Sequence, residues 1–174
     1  MFEILALLCL LAAIILLIIL SIIDLKIWIL PDELNLALAV AGLGFHFATS
    51  NRFLEWGDMA WGAAMGAGML LTIRFFANRH YGRDTLGLGD VKLLGAAGIW
   101  LGLEGVLMAV TVGAFAGLIH GLVYAFVLSR TSKQKFTIHQ LAIPAGPGFA
   151  VGIVIAGAMM FAPYTMETIS ALLS

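Results

Sequence analysis

Two acids are the first candidates for chemistry in this sequence. Asp24 closes an uncharged apolar run, Ile4–Ile23, and Asp90 lies in Leu86-Gly87-Leu88-Gly89-Asp90-Val91-Lys92 at the start of another apolar stretch. A charged side chain carried to membrane depth costs about 2.5–3.5 kcal/mol on insertion scales, so an ionisable group at such a place is by default a functional candidate. Two carboxyls brought close together do not both ionise readily, because like charge raises one pKa and leaves the other low, and one proton is then shared. The ionised member takes a proton from water while the protonated member donates to a peptide carbonyl. That is general acid–base hydrolysis with neither a covalent intermediate nor a metal. Capping and dipole effects also favour acids near helix starts. Asp90 therefore reads equally as a cap after a glycine turn, and Asp24 as an interfacial helix end paired with Lys26; residue type and spacing leave both readings open.

The elements that must position these acids follow from composition. Of 174 residues, 62% are hydrophobic and 11% charged, with a mean hydropathy of +1.07. A soluble domain is about 45–50% apolar and about 25% charged, so this chain is an integral membrane protein. At about 20 residues per crossing, the length accommodates six transmembrane helices: an all-α polytopic membrane bundle forming one unit over residues 1–174. The spans read as Ile4–Ile23, Leu34–Thr49, Met59–Phe76, Leu86–Leu103, Gly105–Leu128 and Gly148–Ile169. The first lacks the basic start and short apolar core of a cleaved signal peptide and is expected to be retained. The third is rich in small residues, among them Gly62, Ala63, Gly66 and Ala67, which suit close helix packing in lipid.

A net charge of −1 argues against a nucleic-acid-binding face, which needs clustered bases. Cys9 is the one cysteine, so the chain can form neither an internal disulfide nor a multi-cysteine zinc site, and no metal or cofactor is expected. With six spans, Lys26, Arg74, Arg79, Arg83, Lys92, Arg130, Lys133 and Lys135 fall on one face and only Arg52 on the other. The positive-inside rule then makes the loops at 24–33, 77–92 and 129–147 cytoplasmic and puts both termini outside. Asp24 and Asp90 come to the same cytoplasmic boundary.

Three stretches occur in order: Asp24 followed by an apolar segment and Leu30-Pro31-Asp32, then Gly87-Leu88-Gly89-Asp90-Val91-Lys92, then Ile143-Pro144-Ala145-Gly146-Pro147-Gly148 before the last span. Together they resemble the type IV prepilin peptidases, membrane aspartic proteases of the Gly-x-Gly-Asp class. The resemblance implies that Asp24 and Asp90 are the catalytic pair, that Gly87 and Gly89 shape the turn before the second acid, and that Lys92 belongs to the same motif. It implies that Pro144, Gly146 and Pro147 line the site, and that Pro31-Asp32 starts a helix without being catalytic. It further implies a substrate of the prepilin or pseudopilin kind: a short basic leader, then a glycine after which the chain is cut, then an apolar helix. The setting would be the bacterial inner membrane, with lipids as neighbours and homo-oligomerisation left open.

Two departures matter. Larger family members are similar to a longer design, with a Cys-x-x-Cys-bearing insert after the first span that accompanies N-methylation; here the first span runs straight into Asp24, so peptidase activity without methyltransferase activity is expected, as in the short forms of tight-adherence pilus systems. Many members also have phenylalanine where this chain has Ala145.

Other classes compete. A small ion- or proton-coupled transporter would use boundary carboxylates, with His120 on a proton path or, more simply, satisfied by an interhelical hydrogen bond. A non-enzymatic scaffold for pilin-like helices is a third reading. Trp28, Trp56, Trp61 and Trp100 read as interfacial anchors. Asp32, Glu33 and Asp84 read as helix-start and loop residues, with attraction of a basic leader as a second option, and Lys133 and Lys135 as orientation and lipid contacts.

Overall fold

The computed structural model describes residues 2–82, 84, 86–131 and 144–173. Arg83, Lys133, Lys135 and Ile143 lie outside the described residues. The described residues form five helices: α1 (Phe2–Ile27), α2 (Asp32–Ala48), α3 (Trp56–Tyr81), α4 (Leu88–Thr131) and α5 (Gly146–Leu173).

Five helices stand where six were expected. The difference lies in α4, whose 44 residues cover both the fourth and the fifth expected spans. The backbone leaves helical geometry at Gly102 (φ 66°, ψ −169°), one residue before the end of the fourth expected span, and the turns on either side run on without a loop. Glycine is the residue that takes this positive φ without a Cβ penalty. Four helices, α1, α3, α4 and α5, are long and apolar enough to cross a membrane; α2 has 17 residues.

Local sequence explains the helix ends. In α3, Glu55 and Asp58 close a capping box, and Gly82 ends the helix in the left-handed region with its N–H on Asn78 O at 2.9 Å. α2 starts just after Pro31, as the sequence implies, since a proline before a helix has no N–H to leave unpaired. α1 ends on Trp28, which takes φ 61° and donates its N–H to Asp24 O at 2.9 Å.

Small residues set the packing of α3, α4 and α5. A Cβ on Gly62 would collide with the backbone of Gly98 and Gly102, and one on Gly152 with that of Ala109 and Gly113. The helices therefore touch backbone to backbone, the close approach that replaces hydrophobic driving force inside lipid. Large apolar side chains such as Ile18, Phe115, Leu122 and Met159 point outward instead.

One tryptophan departs from its expected place. Trp28, Trp56 and Trp61 are exposed, but Trp100 is buried, stacks on Phe45 with ring centroids 5.3 Å apart, and donates its indole N–H to Leu38 O at 2.8 Å. The ring fits because Gly42 of α2 leaves room for it: a Cβ there would lie 2.8 Å from Nε1. Trp100 is a core residue and no interfacial anchor.

Candidate active site

Asp24 and Asp90 meet the chain at two helix N-termini. Asp24 is on the last turns of α1 and is only 6% exposed; its Oδ2 accepts the backbone N–H of Gly146, the first residue of α5, at 2.9 Å. The carboxylate thus caps a helix from 122 residues away, satisfying one of the N–H groups that a helix start leaves unpaired. The expected pairing with Lys26 is replaced by this bond. Asp90 sits on the first turn of α4, 7% exposed, with its carboxyl reaching back to the backbone of Gly87 in the manner of a capping-box acid. Its Oδ1 is buried with no hydrogen-bond partner among the described residues. The two carboxyls lie within electrostatic reach of each other.

The motif glycines make these approaches. A Cβ on Gly146 would stand 2.7 Å from Asp24 Oδ2, and one on Gly87 would stand 3.1 Å from Asp90 Oδ2. At Gly89 it would meet Leu30 Cβ at 2.7 Å and Leu30 O at 3.2 Å. The start of α4 is therefore pressed directly on the extended link between α1 and α2. Asn35, buried on α2, adds a long hydrogen bond from Nδ2 to Gly89 O at 3.4 Å. Pro144 and Pro147 are half-buried on either side of Ala145 and Gly146.

Lys92 is not at the acids. Its ammonium pairs with Asp32 Oδ2 at 2.5 Å, both side chains half or more exposed, tying α4 to the start of α2. Asp84 is likewise engaged: Arg74 bonds both Asp84 Oδ1 (2.7 Å) and Leu86 O, and Asn78 Nδ2 reaches the same carboxylate at 2.8 Å. Of the three acids with leader attraction as a second reading, Asp32 and Asp84 are paired with neighbouring bases, and Glu33 is exposed.

Two polar residues of the interior were not singled out by sequence. Asn35 and His46 are both buried on α2, and His46 Nε2 lies 3.1 Å from Trp100 O. The break at Gly102 lies two residues beyond Trp100, and a ring nitrogen of His46 serves the carbonyl there. His120, the histidine expected inside the bundle, is exposed on α4. Among the described residues no group of three or more His, Cys, Asp or Glu could hold a metal ion.

Residues 11–122 match the family model described as the type IV leader peptidase family. Proteins named prepilin leader peptidase/N-methyltransferase are similar over most of this chain. The one from Pectobacterium carotovorum subsp. carotovorum is 36% identical over 136 residues, covering 78% of this chain and 46% of the relative. That of Xanthomonas campestris pv. campestris is 32% identical over 129 residues (74% and 42%), and that of Escherichia coli strain K12 is 32% identical over 136 (78% and 56%). The chain spans about half the length of these relatives. No solved structure matches it.

Proposed function

Since the chain belongs to the type IV leader peptidase family, we propose that it is an aspartic endopeptidase that removes the leader of prepilin-like proteins at the cytoplasmic boundary of the inner membrane. The observation that carries this reading is the placement of Asp24 and Asp90: two buried acids from distant parts of the chain, within electrostatic reach, one with an oxygen that has no partner among the described residues.

The acceptor bond that Asp24 makes to Gly146 suits the ionised member of the pair, and the unpartnered Oδ1 of Asp90 suits the protonated one. Water between them gives a proton to Asp24 as its oxygen bonds to the scissile carbonyl carbon. Asp90 gives its proton to the carbonyl oxygen. The resulting diol collapses: one hydroxyl returns its proton to Asp90 as the C=O re-forms, the C–N bond breaks, and the leaving nitrogen takes the proton held by Asp24. A helical peptide bond is already hydrogen-bonded within its own helix, so the cut falls where the substrate is locally unwound; a glycine before the bond lets the backbone come close.

Both acids lie at the cytoplasmic side if α2 crosses and α4 crosses twice, turning at Gly102. Six crossings in one unit over 1–174 also keep eight of the nine Lys and Arg on one side. Peptidase activity without methyl transfer is proposed on the uninterrupted run of α1 into Asp24 and on Cys9 as the single cysteine of this sequence.

Co-expression with a leader-bearing prepilin tests the reading. The wild type shortens the substrate to a product whose new N-terminus, read by mass spectrometry, follows the glycine, while Asp24→Asn and Asp90→Asn leave it full length at unchanged membrane abundance. Normal shortening by either variant contradicts the assignment.

A further inference from the structure

An apolar groove runs along the outer face between α1 and α5 and ends near Asp24. One part is a cavity of about 250 Å³ whose lining includes Leu10, Trp100, Ala158 and Thr165. A second, more open part of about 370 Å³ runs on to Ile22 and Pro147. Ile14, Leu17 and Val154 line both, so the two are continuous. At its inner end, Ile22 is two residues from Asp24, and Pro147 follows the Gly146 whose N–H holds the Asp24 carboxylate.

We propose that this groove receives the hydrophobic helix of the substrate, laid against α1 and α5 so that the bond just before the helix reaches Asp24 and Asp90. The inference rests on the peptidase reading and adds where the substrate docks. Three observations select a spanning helix as the occupant. The first is length: from Pro147 to Thr165 the groove follows α5 for about 27 Å at about 1.5 Å per residue, nearly the full hydrocarbon thickness of about 30 Å. A lipid chain, confined to one leaflet, covers about half of that. The second is relief: on α5, Ala150, Val154, Ala158 and Ala162 recur every fourth residue along the groove, so another helix can approach closely. The third is continuity with the acids. Pro147 lines the groove and adjoins the Gly146 that holds Asp24, so a helix leaving the site there enters the groove directly. Ala158 and Val154 are exposed, so the groove opens sideways to lipid and a substrate already in the bilayer enters without leaving it.

The probe is a synthetic peptide with a short basic leader, a glycine and a 20-residue Leu/Ala helix, in vesicles of phosphatidylethanolamine and phosphatidylglycerol with the purified full chain. A photoreactive benzophenone side chain at position 158 is expected to form adducts with the probe, and the same group at Leu118, on an exposed face of α4, is expected to form none. Ala158→Phe and Ala162→Phe, which fill the groove, each raise KM for the probe about 10-fold while kcat changes less than 2-fold. Cleavage by the wild type together with adducts at 158 only to lipid or to a second copy of the chain overturns the groove assignment alone, as does an unchanged KM in both Phe variants. A wild type that leaves the probe uncut overturns the peptidase reading and this inference with it.

Discussion

The two ends of the bundle use one device for different purposes. At each, a buried polar side chain reaches across to a backbone group left over where a helix starts or breaks. At the end that holds Asp24, the acids cap α5 and α4, and one carboxyl oxygen is left unpartnered. At the far end, His46 serves the carbonyl of Trp100 near the Gly102 break, and Phe45, Phe53, Trp100, Phe161 and Tyr164 pack around it with ring centroids 4.8–6.3 Å apart. The far end is filled by rings. The other is floored by glycine, so that backbone and any incoming strand come within reach of the acids. The comparison teaches that neither hydrogen bonding to a helix terminus nor an unpartnered atom, which His46 Nδ1 also has among the described residues, by itself separates a structural residue from a chemical one; what separates them is whether space remains.

Substitutions at the two ends should therefore fail in different ways. The largest effect after loss of an acid is expected from Gly146→Ala, whose Cβ would stand 2.7 Å from Asp24 Oδ2 and must displace the carboxylate. A misplacement of about 1 Å costs about 10²-fold in rate, so leader cleavage by purified protein should fall by about that factor with kcat, more than KM, carrying the loss. Gly89→Ala sets a Cβ against Leu30 Cβ and backbone. Overpacking of this kind costs about 1–3 kcal/mol, read as a lower melting temperature in detergent together with reduced cleavage.

At the ring-filled end the balance reverses. His46→Phe strands the Trp100 carbonyl inside the bundle, at a cost of about 1–3 kcal/mol, and should lower thermal stability while the variant that remains folded cleaves at a near-normal rate. A stable His46→Phe protein with cleavage abolished would break the comparison and return weight to a proton path through the membrane; proton flux in proteoliposomes would then be the measurement to make. The smallest effect is expected at Lys92. Its exposed pair with Asp32 is of a kind worth about 0–1 kcal/mol, so Lys92→Gln should change stability little and cleavage by less than about 5-fold. A loss as large as that of an acid variant would show that Lys92 acts in the reaction and not as a tie.

Sequence alone carried Asp24 and Asp90 a long way. Apolar run lengths placed Asp24 at the end of one helix and Asp90 on the first turn of another, and the order of the three motifs linked them to Gly146. The break at Gly102 was legible only as a boundary between two apolar stretches, because run length registers that a helix is interrupted and not whether a loop or a kink interrupts it. Trp100, Asn35 and His46 were missed for a shared reason. Each sits in a span whose period is blurred by apolar residues on every face, so its depth is decided by a partner far along the chain: Gly42 and Leu38 for Trp100, Gly89 for Asn35, Trp100 for His46. Asp32 and Asp84 read as helix-start and loop residues with no named partner, because the bases that engage them, Lys92 and Arg74, are 60 and 10 residues away.

The central claim is that Asp24 and Asp90 act as one unit. Residues that share a single chemical task lose their effects together, so each single variant should cost as much as the double. Steady-state cleavage of a leader peptide by purified Asp24→Asn, Asp90→Asn and the double variant tests this. The account predicts that all three fall to the same residual rate, at least about 10³-fold below wild type, as for loss of general acid–base catalysis. Losses that multiply in the double variant, or full activity in either single one, would contradict it.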